Sequence, residues 1–345
     1  MNAPGPADDA TSDPWRDPPR TRPGLRRFIG VDLGGGRGKT TAVARLEHTE
    51  NTGGWQLVLA DAKVRYGQRG TGATRDEPTG SDALFRDDVL AEYLLRWTDA
   101  STVVAIDAPL VVPPCLRCDL RCPGVAHCVV DEVVWMREWA PRLRARGRSD
   151  PGKPAVTPYT QRAVEVLYAG AGIELREAMG QGTGPLAARA AYLRRRLSPQ
   201  LRLHENLIEV SPAATTTQLF GAARARRAHH GDQAAVWDER KRILAALADD
   251  LAFDYVWPEL VVRNTHVFAA VLCAFTGYLW ATGRVVEPDS IGRGDGGGGV
   301  EIPADTRGAV GEAAAAFGAL WLAGGWVVVP LAGARGAPRG VVGTP

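Results

Sequence analysis

Three apolar segments of the sequence each carry one carboxylate at or near a strand end. They are FIGVD ending at Asp32 and followed by glycines, VVAIDAP containing Asp107, and LIEVSP containing Glu209. Burying an unpaired carboxylate is costly, so core packing does not explain this pattern. One such acid alone is more often a capping or loop-bonding group. Three similar segments in one chain instead indicate a site.

The chemistry expected of these carboxylates is the binding of divalent cations. Hard cations such as Mg²⁺ prefer oxygen ligands. Two such cations about 4 Å apart activate a water and stabilise the leaving oxygen in phosphodiester cleavage. We therefore predict that Asp32, Asp107 and Glu209 hold Mg²⁺ or Mn²⁺, provided that their strands are neighbours in one sheet.

The glycine-rich segment after Asp32 resembles a phosphate-binding P-loop, but the spacing differs. Counting back from Gly38-Lys39-Thr40, the first required glycine falls on Leu33. The residues after Lys39 alternate and are β-branched, which predicts a strand. A P-loop needs a helix there to direct its N–H groups at phosphate. The segment is therefore predicted to be a hairpin turn.

Four cysteines lie close together after the Asp107 segment, with the spacing Cys115-x₂-Cys118-x₃-Cys122-x₅-Cys128. In a cytosolic chain such spacing favours a metal site over disulfides. Four thiolates suit tetrahedral Zn²⁺ with a structural role. His127 could replace one sulfur. An iron–sulfur cluster ranks behind zinc, and unliganded thiols are the remaining alternative.

Basic residues flank the Glu209 segment. Arg194 and Arg195 precede it on a predicted helix and are candidates to bind phosphate groups of a nucleic acid, DNA or RNA. A solvated helix face is the simpler explanation for these two residues. Arg162 could also contact a phosphate, or it could pair with Glu165.

The elements that position these residues form an α/β pattern. Strands are predicted over 27–33, 40–47 and 55–66, followed by a helix over 83–97 and the Asp107 strand. Three antiparallel strands followed by alternating helices and strands predict a mixed sheet flanked by helices. Further helices are predicted over 160–169, 186–197, 238–251 and 266–282, and strands over 206–210 and 325–330. Residues 112–150 are predicted to form an irregular Cys-rich insert, in which Trp135 and Trp139, four residues apart, indicate a packed helix face. Residues 1–26 are predicted to form a disordered arm and 331–345 a flexible tail.

The net charge and the apolar segments of the chain say more about its cellular location than about its function. The 345 residues carry a formal net charge of +2, which neither demands nor excludes a polyanionic partner. The N-terminus has no apolar signal region, and the apolar stretch 267–281 is too short and interrupted for a membrane span. A cytoplasmic protein without membrane contact is expected, and no obligate protein partner is inferred.

The order of these motifs resembles the DUF429 family, whose members are described as predicted nucleases with a ribonuclease H-like fold. The matching segments are IGVD at 29–32, AIDAPL at 105–110, IEVSP at 208–212, HVFAAVLCAF at 266–275 and GWVVVP at 325–330. The resemblance implies one ribonuclease H-like domain over 27–330. It also implies metal-site roles for Asp32, Asp107 and Glu209.

One position departs from that pattern. Ribonuclease H-like nucleases usually place another acid on the last helix, and the corresponding slot, three residues after His266, holds Ala269. His266 could bind metal or act as a general base, because its ordinary pKa suits proton transfer near neutrality. It could equally cap the helix start or hydrogen-bond a loop.

The sequence therefore predicts a metal-dependent nuclease that uses Asp32, Asp107, Glu209 and His266. Two alternatives remain open. An actin-like ATPase or phosphotransferase would use the glycine turn after Asp32 to cradle phosphates. A catalytically inactive, zinc-stapled protein that binds nucleic acid would be consistent with Ala269.

Overall fold

The structure of the protein is a computed structural model. It describes residues 22, 24–35, 40–51, 54–65, 87–143, 154, 156–248, 251–252, 258–291, 300 and 302–334. The predicted disordered arm up to residue 21, and the predicted tail from residue 335, lie outside these ranges.

Seven strands form one mixed sheet. In chain order they are β1 Arg27–Asp32, β2 Thr41–Asn51, β3 Gly54–Arg65, β4 Thr102–Ile106, β5 Leu207–Val210, β6 Leu251–Ala252 and β7 Val327–Val328. Their order across the sheet is β6-β3-β2-β1-β4-β5-β7. The first three strands are antiparallel to one another, whereas β4 runs parallel to β1, and β5 and β7 continue in parallel. The predicted α/β mixed sheet is confirmed.

Eleven α-helices are present in the described part of the chain. They are α1 Asp87–Arg96, α2 Asp131–Leu143, α3 Ala163–Gly170, α4 Gly184–Leu197, α5 Pro212–Phe220, α6 Ala222–Arg227, α7 Gln233–Leu247, α8 Pro258–Arg263, α9 Thr265–Ala281, α10 Arg307–Phe317 and α11 Leu320–Gly324.

The alternation of side chains along β1 and β4 divides the core between the two faces of the sheet. Phe28 and Val103 belong to the larger cluster, which includes the buried helix α9. Ile29 and Val104 belong to the smaller cluster, which is covered by α1 and α4. Both strands are buried on both faces, as expected for central strands with helices on each side.

Helix α9 crosses β1 at very close range, and Gly30 makes this approach possible. A Cβ atom at Gly30 would lie 2.0 Å from the carbonyl oxygen of Ala270 and 2.3 Å from the backbone nitrogen of Ala274. The helix begins after Asn264, whose side chain accepts hydrogen bonds from the N–H groups of His266 and Val267. This packing sets the start of α9 beside the end of β1.

Several predicted boundaries differ from the structure. The Cys-rich insert, predicted to be irregular apart from a packed helix face at Trp135 and Trp139, contains α2, on which both tryptophans are buried in the core. The helix predicted over 238–251 is α7, which ends at Leu247, and Leu251 instead begins β6. Within the predicted arm, Arg22 is ordered against the domain. Its guanidinium carbon lies 3.8 Å from the Trp280 ring centroid, and it pairs with Glu287.

Candidate active site

Asp32 and Asp107 lie side by side at the carboxyl ends of two adjacent parallel strands. Val31 on β1 is the register partner of Ile106 on β4, so the next residue of each strand is an aspartate. The backbone N–H of Asp107 donates to the Val31 carbonyl oxygen at 2.9 Å, which continues the ladder to this point. The sequence-based expectation that these two acids come from neighbouring strands is met.

Asp32 is held by a histidine from the start of α9. Its Oδ2 atom lies 2.6 Å from Nδ1 of His266. The His266 side chain is 40% exposed, whereas that of Asp32 is 15% exposed. An Nδ1–H that donates to Asp32 leaves Nε2 as a proton acceptor on the solvent side. The helix cap is provided by Asn264, so His266 does not have that role.

Asp107 is paired with an exposed arginine that the sequence did not single out. One nitrogen of Arg176, Nη2, donates to Oδ1 and Oδ2 of Asp107 at 3.0 and 2.9 Å. Burial raises the pKa of Asp107 to about 6 against the opposing effect of Arg176, and the nearby charges of Asp32 and Glu209 add to the increase. The two aspartates are therefore electrostatically coupled.

Glu209 is neutralised by a buried arginine. Its Oε2 and Oε1 atoms accept hydrogen bonds from Nη1 and Nη2 of Arg162 at 2.8 and 2.6 Å, and Oε2 also accepts from the Leu110 N–H at 2.9 Å. The third guanidinium nitrogen of Arg162 donates to Glu165 at 2.7 Å. Burial alone would lower the pKa of Arg162, but Glu209 and Glu165 raise it above its usual value.

The sheet register separates Glu209 from the two aspartates. On β5, Glu209 is the partner of Ile106 and not of Asp107. Its neighbours Ile208 and Val210 pack in the cluster that includes α9. Because successive side chains of a strand point to opposite faces, Glu209 leaves the sheet on the face opposite to that of α9. Asp32 and Asp107 share the α9 face.

An open cleft of about 350 Å³ lies over the ends of β4 and β5. Its polar lining consists of Asp107, Arg162, Arg176, Thr183, Glu209 and Ser211. Ser211 caps α5 and accepts a hydrogen bond from the Ala214 N–H. Asp107 and Glu209 thus face one opening although they leave different faces of the sheet.

The three predicted phosphate-binding arginines occupy different environments. Arg162 is 1% exposed and bonds two carboxylates through all three of its nitrogens, which favours the predicted alternative of a pair with Glu165. Arg194 is half-buried and donates to the Leu110 carbonyl oxygen at 2.8 Å. Arg195 is exposed on the same helix. Burial, followed by the charges of Arg195 and Arg117, lowers the pKa of Arg194.

The donor set at the aspartates fits a single hard cation. Among the described residues, no three His, Cys, Asp or Glu side chains converge at metal-ligand distances. Mg²⁺ commonly keeps several waters and binds through one or two carboxylates plus substrate phosphate. Asp32 and Asp107 meet that requirement. Glu209 could join them only by leaving Arg162.

The four clustered cysteines are free thiols on the loop between β4 and α2. Cys115, Cys118 and Cys128 are partly buried, and Cys122 is exposed. Burial raises the pKa of the Cys115 thiol, and the neighbouring thiols of Cys128, Cys122 and Cys118 raise it further. The chemistry of this set fits Zn²⁺, but the thiols do not converge on a common point. The fifth cysteine, Cys273, is buried on α9, as predicted for a core residue.

Sequence reasoning missed Arg176 because it lies in a non-periodic loop between α3 and α4. The available signal was its position between the predicted helices 160–169 and 186–197, which carry the candidate residues Arg162 and Arg194.

The prediction of a strand after Lys39 is confirmed, because β2 begins at Thr41 where a P-loop would need a helix. Among the described residues, no helix is both long and apolar enough to cross a membrane.

Fold and site together define an α/β protein with paired aspartates at the carboxyl ends of adjacent parallel strands. The sequence model of a family described as "Protein of unknown function (DUF429)" matches residues 30–291. Because this range covers most of the chain, the protein belongs to the DUF429 family, as its motifs predicted. No curated protein and no solved structure matches the chain.

Proposed function

We propose that this protein is a metal-dependent nuclease that hydrolyses phosphodiester bonds of nucleic acid. The observation that carries the proposal is the pairing of Asp32 and Asp107 on one face of the sheet, at the ends of β1 and β4. When bound there, Mg²⁺ or Mn²⁺ would polarise the phosphate and lower the pKa of a bound water. Three antiparallel strands followed by parallel β4 and β5 support the ribonuclease H-like interpretation.

His266 would act as the general base. Its Nδ1 atom is occupied by Asp32, which orients the ring and leaves Nε2 to accept a proton from the attacking water. Oδ1 of Asp32 makes no hydrogen bond to the described residues and so is available to a cation. His266 thus supplies a proton-accepting group near the slot in which Ala269 replaces the usual acid.

Glu209 would have a supporting role. Its charge is balanced by Arg162, and its bond to the Leu110 N–H fixes the segment that follows Asp107. A second metal ion, as the sequence predicted, would require Glu209 to exchange Arg162 for the ion. We therefore propose one resident cation held by Asp32 and Asp107, with Glu209 fixing the backbone beside them.

Nucleic acid is the proposed substrate because positive charge borders the cleft. Arg194 is anchored on the Leu110 carbonyl oxygen, and Arg176 projects from the cleft wall with 63% of its side chain exposed. Arginine side chains at such positions bind phosphate groups without reading sequence. Cleavage of labelled single-stranded, duplex and branched DNA and RNA with Mg²⁺ or Mn²⁺ tests this proposal. Activity on none of them would refute it.

The zinc site is a separate part of the proposal. Cys115, Cys118, Cys122 and Cys128 would bind one Zn²⁺ that stabilises the loop before α2. Elemental analysis of the purified protein should give about one zinc per chain, and Cys115→Ser with Cys118→Ser should abolish it. Iron with visible absorbance would favour the iron–sulfur cluster instead.

We also propose a cytoplasmic location, because all five cysteines are free thiols.

A further inference from the structure

We propose that Arg176 is a movable substrate-binding residue that pairs with Asp107 and turns to the substrate phosphate when a cation binds. This inference rests on the proposed function. In the structure, Arg176 is the only described side chain that donates to the Asp107 carboxylate. Its guanidinium therefore places a positive charge on Asp107, as a bound cation would.

The geometry of the ion pair between Arg176 and Asp107 makes it easy to displace. A single nitrogen of Arg176 serves both oxygens of Asp107, which is weaker than the two parallel bonds of a fork-like arginine–carboxylate pair. By comparison, Arg162 uses two nitrogens on Glu209 and is fully buried. Arg176 is 63% exposed, so water competes for its hydrogen bonds more than for those of the buried Arg162. A divalent cation can therefore displace Arg176 from Asp107.

The two residues that follow Arg176 are anchored to neighbouring segments. The Glu177 side chain accepts from Nε2 of Gln161 at 2.8 Å, and the Ala178 N–H donates to Glu165 at 3.2 Å. Ala178 itself is fully buried. The proposed change of partner therefore requires a movement of the arginine side chain and not of Glu177 and Ala178.

A displaced guanidinium has a suitable second partner in the proposed reaction. It would remain at the cleft, where the described protein offers its other nitrogens no hydrogen bond. A phosphodiester bound to the cation at Asp107 would bring a negative oxygen to the same place. Arginine pairs well with phosphate oxygens, so the residue would exchange one anion for another.

The test measures two affinities in Arg176→Gln. The first is Mn²⁺ binding, followed by calorimetry or by the spin-resonance signal of free Mn²⁺. The second is binding of labelled phosphorothioate oligonucleotides, DNA and RNA, single-stranded and duplex, at saturating Mn²⁺. Arg202→Gln is the matched control, because Arg202 is 65% exposed and its one ion pair among the described residues is with Glu205 in the turn before β5.

The two affinities should change in opposite directions. Arg176→Gln should bind Mn²⁺ about three- to tenfold more tightly, because the competing cation is gone. It should bind oligonucleotides about tenfold more weakly, with the slope of log K against log salt reduced by about one. Arg202→Gln should change neither affinity by more than about twofold. A merely structural role for Arg176 would not produce opposite changes.

If Arg176→Gln has the wild-type affinity for Mn²⁺, or the wild-type affinity for oligonucleotides, the inference is overturned. Asp32→Asn separates this failure from failure of the proposed function. If wild type binds Mn²⁺ and Asp32→Asn does not, while Arg176→Gln matches wild type, only the role of Arg176 is refuted. If Asp32→Asn does not weaken Mn²⁺ binding, or if wild type and Arg176→Gln bind no Mn²⁺, both the proposed metal site and the role of Arg176 are refuted.

Discussion

Both carboxylate oxygens of Glu209 accept hydrogen bonds from the buried guanidinium of Arg162, at 2.6 and 2.8 Å. This pair defines how the site is organised. One acid of the three predicted metal ligands is already neutralised by the protein, whereas Asp32 and Asp107 are held by groups that are at least 40% exposed. These contacts support the proposed division of roles, in which Glu209 fixes the backbone and the two aspartates hold a cation.

The first prediction concerns Glu209→Gln. Removing its charge leaves the buried Arg162 with only Glu165, so the free energy of unfolding should fall by about 3 kcal/mol. Urea denaturation of metal-free protein measures this change. Glu205→Gln, at an exposed ion pair, should change it by less than about 0.5 kcal/mol. Unchanged stability together with lost Mn²⁺ binding would show that Glu209 is instead a metal ligand.

A second prediction tests the close crossing of α9 over β1. In Gly30→Ala the new Cβ would overlap the backbone of Ala270 and Ala274, which cannot move away as a flexible side chain would. The helix must shift, at a cost of about 3 kcal/mol or more. Thermal and urea unfolding measure this loss.

Gly308→Ala is the control for that substitution. Gly308 lies on α10, and nothing lies within 4 Å of a Cβ placed there. Alanine should leave stability unchanged or raise it by up to about 1 kcal/mol. Equal behaviour of the two variants would contradict the described packing of α9.

A third prediction is a pH dependence of stability. Burial raises the pKa of Asp107 from 3.8 to about 6 in the folded protein. Between these pH values the folded state binds more protons at this group than the unfolded state does. The contribution of Asp107 to stability therefore falls as the pH rises through this window.

Asp107→Asn should remove this slope and be more stable than wild type at pH 7, by about 1–3 kcal/mol. Urea unfolding in a chelator at a series of pH values from 4 to 7 measures it. Asp238→Asn, on the exposed side of α7, should keep the wild-type slope. A wild-type slope in Asp107→Asn would refute the assigned burial of this carboxylate.

A fourth prediction separates proton transfer from metal binding. His266→Gln keeps a polar partner for Asp32 but cannot take a proton, so kcat should fall by about 10²- to 10⁴-fold. Mn²⁺ affinity should stay within about threefold, since the ring is not a ligand in this proposal. The exposed His230 provides a control, because His230→Gln should retain full activity. Lost Mn²⁺ affinity in His266→Gln would instead make the ring a ligand.

The sequence revealed those parts of the site that follow strand patterns. Asp32 and Asp107 were recognised because apolar strands lead directly into them, and their parallel neighbouring strands bring them together. The face taken by Glu209 depends on a register offset of one residue between β4 and β5, which no single strand encodes. Arg176 lies in a loop without periodicity, so only tertiary structure places it on Asp107.

The elements of the fold that have a regular side-chain period were also predictable, whereas those that depend on tertiary contacts were not. The three-strand opening and the apolar helix α9 were predictable because their side-chain periods are regular. The spacing of Trp135 and Trp139 predicted a packed helix face, and α2 has one there, although the bounds of this helix did not follow from the irregular segment around it. Strand β6 is two residues long and exists only through pairing with β3.

The most direct measurement compares metal-dependent cleavage by wild type, Asp32→Asn and Asp107→Asn on the substrate that wild type cleaves best. All three proteins would first be shown to be folded, with Glu205→Gln as an active control. Wild type and Glu205→Gln should cleave with Mg²⁺ or Mn²⁺ and stop in chelator, whereas each aspartate variant should lose at least about 10²-fold in rate. Wild-type rates in either aspartate variant would contradict a metal site between Asp32 and Asp107.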